Sequence, residues 1–293
     1  MPKCNLIILG FPKSGTSSLH EYLALHPDIC MSREKEPQFF SISTQWERGF
    51  AWYDSLFEDE GRPRRWYGES SQSYSGWEPA LQRIKAYLEE PRFIVLLRHP
   101  VDRLISHYRW LWAMNLESRP ILKAVQEENK KKRDPANYRA YRLGSAYTEL
   151  CPLIERYLDK QRILYLKSDK LASEPEETLR HCFRFLELEP IEIRIKIKSN
   201  VTESIRVWRR MGLDILLKPI PMTLRDRLDP GGRLRRRVKS VLGKKKRKPP
   251  EINDSDKEYL TQFLAEDVVF YESMFRDSNE NGYIRGKASA MRS

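Results

Sequence analysis

Three short runs of this chain hold residue types that group-transfer chemistry uses. The first is Phe11-Pro12-Lys13-Ser14-Gly15-Thr16-Ser17-Ser18, which follows an apolar run ending at Gly10. A turn opening into a helix presents first-turn N–H groups to an anion, glycine lets the backbone come close, and the helix dipole favours negative charge. Lys13, Ser14, Gly15, Thr16, Ser17 and Ser18 are therefore the candidate anion cradle. In the nucleoside-triphosphatase loop, G-x-x-x-x-G-K-[ST], the lysine follows the second glycine and the next hydroxyl holds magnesium. Here Lys13 precedes Gly15 and no Lys-Ser or Lys-Thr pair follows that glycine in the loop. The chemistry expected is metal-free, with Lys13 neutralising charge on a departing phosphate; the bland alternative is a glycine-containing turn with a solvated lysine. The second run ends the apolar stretch Phe93–Leu97 with Arg98 and carries Ser106 eight residues later. A guanidinium at a strand's carboxyl end and a hydroxyl on the following helix can converge on one phosphate. The bland alternatives are an Arg98–Asp102 ion pair and a solvated helix serine. The third is Glu36, between Arg33-Glu34-Lys35 and Pro37-Gln38-Phe39-Phe40. Its carboxylate is a group that acid–base chemistry could use, weighed against a solvated loop carboxylate.

These side chains need elements to hold them. Short apolar runs rich in β-branched residues alternate with amphipathic stretches, the pattern of a parallel sheet covered by helices. Strands are expected over Cys4 to Gly10, Arg92 to Arg98 and Arg162 to Lys167. The segment Val101 to Trp112 lines Val101, Leu104, Ile105, Tyr108 and Trp112 along one helical stripe, leaving Ser106 about 140° away at ~100° per residue. Leu150, Leu153, Ile154 and Tyr157 share a face of another helix, which Pro152 should start or kink. Ser173 with Glu176, and Ser255 with Glu258, fit capping-box spacing, and the last helix is expected to run to about Phe275. His20 and His26 read as surface residues of the first helix. His99 and His107 lie near the second run and are weaker candidates for the base.

The formal net charge of +12 is concentrated, because Arg233 to Lys248 holds ten Lys or Arg and no acid. The remainder is near balance, so a nucleic-acid partner is not expected. That stretch, framed by Gly231-Gly232 and Pro249-Pro250, reads as an exposed basic loop at 231–250 within a single domain spanning 1–293. It is either a solvated excursion or a docking surface. Cys4, Cys30, Cys151 and Cys182 are widely spaced, without zinc-ligand patterns, and are expected to be reduced and buried. No metal is expected. No run reaches the roughly 18 apolar residues of a membrane helix, and a cytoplasmic location is the expectation.

The Pro12-Lys13-x-Gly15-Thr16 loop, paired with Arg98 and Ser106, resembles the motif pair of the sulfotransferases that use 3′-phosphoadenosine-5′-phosphosulfate (PAPS). The resemblance runs from about residue 4 to residue 188 and more weakly through the terminal helix. Within that family the chain is most similar to the heparan sulfate N- and 3-O-sulfotransferase branch and its bacterial relatives. Lys35-Glu36-Pro37-Gln38-Phe39-Phe40, Trp52-Tyr53, Gly68-Glu69-Ser70-Ser71-Gln72-Ser73-Tyr74 and Gly144-x-x-Tyr147 carry that likeness. The resemblance implies an α/β, P-loop-like three-layer fold with a central parallel β-sheet flanked by helices. It also implies PAPS as donor, Arg98 and Ser106 on its 3′-phosphate, and Glu36 as base. The expected reaction places a sulfuryl group on a hydroxyl or amine of a small specialised metabolite or glycan, in a cleft lined by the segments around Glu36, Trp52 and Tyr74. Two features depart from the branch. Ser70 stands where the 3-O-sulfotransferases carry a lysine, and no cysteine pair follows Cys182 to close a disulfide loop over the adenine. Asn200 to Arg210 is the alternative cover, with Arg206, Arg209 and Arg210 equal candidates for a phosphate contact. The histidine motif K-T-H of the cytosolic small-molecule enzymes is absent. The rival readings are an ATP-dependent P-loop kinase and a non-catalytic basic module for acidic glycan or nucleic acid.

Overall fold

A computed structural model describes residues 3–59, 61–128, 141–193, 249–276 and 282–285. The chain divides into two units, one of Met1–His107, Ile121–Lys196 and Ile252–Ser293, the other of Tyr108–Pro120 and Ile197–Glu251. The first unit carries a six-stranded sheet: β1 (Leu6–Gly10), β2 (Ile29–Met31), β3 (Trp66–Ser70), β4 (Arg92–Leu97), β5 (Ile163–Lys167) and β6 (Tyr283–Arg285). The order is β2-β3-β1-β4-β5-β6, parallel throughout except for β6, which pairs antiparallel with β5. The chain leaves β1 toward one edge and returns beside it as β4, so the strand order reverses between these two strands. In open α/β sheets such a switch point is where ligands bind, beyond the carboxyl ends of the strands.

Side-chain alternation builds a core on each face of the sheet. Ile7, Leu9, Phe93, Val95, Ile163 and Tyr165 point to one, which α4 (Glu78–Tyr87), α7 (Tyr147–Tyr157) and α11 (Ala265–Arg276) cover. Leu6, Ile8, Ile94, Leu96, Leu164 and Leu166 point to the other, beneath α1 (Thr16–Leu23), α8 (Ser168–Ser173) and α9 (Pro175–Phe185). Because both faces are covered, β1 is buried at every residue, the state that continuous apolar runs predict. The remaining helices are α2 (Ser43–Trp46), α3 (Gly49–Asp54), α5 (Pro100–Ala113), α6 (Ile121–Gln126) and α10 (Asp254–Phe263). In the second unit the Glu117 carboxylate accepts from the backbone N–H of Ser118 and Arg119 and pairs with the Arg119 guanidinium at 2.6 Å.

Several local expectations need correction. Pro152 lies inside α7 on its exposed side, five residues past the start. Ser173 ends α8, and α9 begins at Pro175, a residue favoured at the first helical position, with no side-chain cap. The capping box of the last segment is Asn253 with Asp256, two residues before the expected Ser255–Glu258 pair. The terminal helix is two helices, broken at Leu264. The four cysteines are buried and unpaired. Among the described residues no helix is long and apolar enough to cross a membrane and no cluster of three or more potential metal ligands occurs. The basic stretch 233–248 and Asn200 to Arg210 lie outside the described residues.

Candidate active site

The loop after β1 is shaped by two left-handed residues, Lys13 at φ 77° and Gly15 at φ 93°. Gly15 caps α1 with its carbonyl, which accepts from Ser18 and Leu19 N–H at 3.0 and 3.2 Å. Among the described residues no side chain caps this helix and no acid stands in its first turn, leaving an end whose dipole and leading N–H groups favour an anion. The carbonyls of Pro12 and Lys13 are turned away and held by guanidiniums: Arg103 Nη1 donates to Pro12 O at 3.3 Å and Arg98 Nη1 to Lys13 O at 3.3 Å. The strand end is clasped by Ser75, whose Oγ accepts from Gly10 N at 3.0 Å and donates to Gly10 O at 2.8 Å.

Cations crowd this loop. Burial, then the charges of Arg98 and Lys35, bring the Lys13 ammonium down to about 8, and the Lys35 ammonium donates to Ser17 Oγ. Neither Lys13 nor Arg98 forms an ion pair among the described residues. Like charges held together beside unpaired N–H groups are the electrostatics of an anion site.

Arg98 follows β4 directly. Its backbone is fixed by Tyr147, whose hydroxyl donates to Arg98 O at 2.8 Å and accepts from Arg98 N at 3.4 Å. Ser106 is half-buried on α5, away from the buried Val101, Leu104 and Ile105, as its spacing predicts. The same helix buries Arg103 completely, which its sequence pattern does not announce. Arg103 Nε donates to Ser145 Oγ at 2.6 Å, Nη2 to Tyr141 O, and Nη1 also to His107 Nδ1 at 3.3 Å. His107 is thus a buried partner of an arginine, and His99 packs edge-on against Tyr271 at 5.8 Å.

Glu36 takes a left-handed conformation, φ 57°, with its N–H donating to Ser70 O at 3.1 Å. Its Oε2 accepts from Gln72 N at 3.0 Å, while Oε1 is buried and accepts no hydrogen bond among the described residues. The carboxylate is thus withdrawn from solvent, and burial pushes it up to about 7. The adjacent Lys35 reaches the anion loop, so one dipeptide serves both places. Phe39 and Phe40 are fully buried. Tyr74 is buried in the core with its hydroxyl donating to Glu69 at 2.7 Å, so its own ring does not line an acceptor cleft. Trp52 is half-buried under the Arg48 guanidinium, 3.7 Å from the ring centre.

His20 and His26 are not surface residues. Both are buried, His20 Nδ1 lying 3.0 Å from Ser70 Oγ and His26 Nε2 3.1 Å from Glu189 O. α1 packs against β3, and the side of the helix that carries His20 faces that strand. Burial holds His20 down at about 4, so it is neutral at physiological pH. Arg103 and Ser75 escape sequence reading because they reach Pro12 and Gly10 across 91 and 65 residues. Tyr147 and Glu69 stand within the Gly144-x-x-Tyr147 and Gly68–Tyr74 patterns, which mark the positions without giving their contacts.

Residues 3–206 match the family described as sulfotransferase domain. The heparan sulfate glucosamine 3-O-sulfotransferase 3B1 of Mus musculus is 31% identical over 193 residues, 63% of this chain and 46% of that protein. The human 3-O-sulfotransferase 6 is 32% identical over 205 residues, 68% of this chain and 56% of that protein. A bifunctional heparan sulfate N-deacetylase/N-sulfotransferase 1 of Caenorhabditis briggsae is 28% identical over 67% of this chain and 24% of its own length. The aligned region spans about half or less of each of these relatives. Among solved structures, a sulfotransferase from Alicyclobacillus acidocaldarius superposes with TM-score 0.59 at 24% identity, covering 75% of this chain and 96% of its own, a likeness of fold. Fold, motif loop and matched residues together establish that this chain belongs to the sulfotransferase family.

Proposed function

We propose that this chain transfers a sulfuryl group from PAPS to a hydroxyl or amine, on a glycan or a small specialised metabolite. One juxtaposition carries the reading. Lys35, which with Lys13 and Arg98 supplies positive charge at the uncapped start of α1, is the chain neighbour of Glu36, a buried carboxylate whose Oε1 accepts no hydrogen bond among the described residues. The curated relatives are named for sulfation of heparan sulfate glucosamine, which favours a glycan among the acceptors.

PAPS, when bound, supplies the sulfuryl group and a bisphosphate that departs. The residues of this chain do the rest. Lys13, the N–H groups of the first turn and the hydroxyls of Ser14, Thr16, Ser17 and Ser18 fit the phosphosulfate end, and Gly15 lets the backbone approach. Arg98 and Ser106, at the head of the neighbouring strand's crossover, suit the 3′-phosphate. Glu36 Oε1 takes the acceptor's proton, and a carboxyl near 7 is about half ionised at neutral pH, the range a general base needs. Lys13 places positive charge where the leaving phosphate gains its negative charge. A kinase would need a magnesium hydroxyl that the loop's order does not offer, and a purely basic binding module would not require a buried carboxylate.

Calorimetry tests the donor site. The 3′,5′-bisphosphate of adenosine should bind at least about tenfold tighter than AMP, the difference of one charge-assisted phosphate contact. Equal affinities would end the reading. Incubation with PAPS and a glycan or metabolite library should give products heavier by ~80 Da, the sulfuryl mass. Glu36→Gln should keep bisphosphate binding and lose roughly two decades of turnover; near-normal turnover would remove Glu36 from the base role.

A further inference from the structure

The segment that carries Glu36 is strained and needs holding. Glu36 and Gln38 are both left-handed, φ 57° and 55°, a conformation that is strained for a residue with a side chain, and Pro37 restricts Glu36 further. What holds them converges on a carboxylate that the transfer reaction does not use. Glu69, on β3 beside Ile7 of β1, is wholly buried. Its Oε1 accepts the hydroxyls of Tyr53 at 2.9 Å and Tyr74 at 2.7 Å, and its Oε2 accepts Ser71 Oγ at 2.7 Å. No cation pairs with it among the described residues.

Two of those hydroxyls are relays. Ser71 Oγ accepts the N–H of Gln38 at 3.0 Å and Tyr74 Oη accepts the N–H of Phe40 at 3.3 Å. Each therefore accepts a hydrogen bond from the backbone of the strained segment and donates its own hydroxyl hydrogen to Glu69. An acceptor with four lone-pair sites at one point is what lets both relays keep the same sense, and a neutral amide would turn a donor toward one of them. A buried acid without a cation weakens a fold unless it is fully hydrogen-bonded. Burial pushes Glu69 up to about 7, while Tyr74, Ser71 and Tyr53 draw it down. The titratable groups around it are Tyr53, Tyr74, Cys4 and Glu36.

We propose that Glu69 is a positioning residue which, through Ser71 and Tyr74, fixes the backbone of Gln38 and Phe40 and so aims Glu36. The inference rests on Glu36 being the base, and the experiment separates the two. Glu69→Gln, Ser71→Ala and Tyr74→Phe are compared with Glu36→Gln by PAPS kinetics, and amide exchange is followed at Gln38 and Phe40. Each relay variant should lower kcat about tenfold or more, the scale of a base moved by a fraction of an ångström, with KM for PAPS unchanged. Gln38 and Phe40 amides should exchange faster in Glu69→Gln, while those of α1 do not. The Glu69→Gln/Ser71→Ala double variant should lose no more than the worse single one, since both break one relay. Additive losses, KM rising as kcat falls, or unchanged exchange would overturn the inference. If Glu69→Gln does not fold, Ser71→Ala and Tyr74→Phe decide it alone. A fully active Glu36→Gln would sink the base reading, and the exchange data would still decide whether Glu69 holds the segment.

Discussion

Lys13 is the residue whose chemistry the fold most distorts. Burial acts first, and Arg98 and Lys35 act in the same direction, so the ammonium sits near 8 rather than its usual 10.5. At pH 8 to 9 a sizeable share of the free sites has lost that proton. A bound anion favours the charged form and returns it. Bisphosphate binding should therefore take up a proton at pH 8.5, where the ligand's phosphates, with second pKa values of about 6, are already dianionic, seen as a dependence of the binding heat on buffer ionisation enthalpy. Lys13→Arg, which stays charged, should lose the uptake; a buffer-independent heat in the native protein would contradict the assignment. The candidate residues Lys13, Arg98 and Glu36 are legible in the sequence because each stands at a local landmark, a helix start, a strand end or a proline turn, and Ser106, in the middle of α5, from its spacing to Arg98 and its place off the apolar stripe. Arg103 and Ser75 are not. Their value lies in Pro12 and Gly10, reached across 91 and 65 residues, and no window on the sequence spans that distance.

At the scale of elements, the β1-loop-α1 unit depends on two glycines for different reasons. A Cβ at Gly15 would meet nothing closer than Ser168 Oγ at 3.5 Å, so its constraint is the left-handed φ of 93°. A Cβ at Gly10 would lie 2.7 Å from Thr16 Cγ2, so its constraint is space between strand and helix. Gly15→Ala should destabilise by about 1–2 kcal/mol through backbone strain, and Gly10→Ala by about 1–3 kcal/mol through overpacking. Adding Thr16→Ser, which removes the clashing methyl, should restore much of the second loss and none of the first in denaturant titrations. Recovery of both, or of neither, would mean the two positions are limited alike. Strands β1, β4 and β5 are readable from apolar runs of five or six residues. β2 and β6, three residues each, and the Gly-Glu-Ser stretch of β3 lack such a run and are strands because a neighbour offers them an edge. The helix break at Leu264 and the cap at Asn253 show the same limit, since several polar residues in a row fit capping spacing equally well and packing chooses among them.

For the molecule as a whole, the parallel order with its reversal between β1 and β4 brings together two runs some 85 residues apart, as the Arg98 to Lys13 bond shows. That architecture was expected from alternating strand and helix patterns, whereas the antiparallel sixth strand was not, because its three residues follow the last helix without a crossover. The same folding seals every thiol. Cys4, Cys30, Cys151 and Cys182 have no disulfide and are buried, and burial raises the pKa of each, so thiolate is scarce in the native state. A thiol-reactive dye should consequently leave the folded protein largely unmodified and label it at the pace of global opening, slower when the bisphosphate is present; rapid stoichiometric labelling of the native protein would show that one of the four sites opens locally. The chain thus carries its own clock for unfolding, set in four places through both faces of the sheet and wound without any introduced probe.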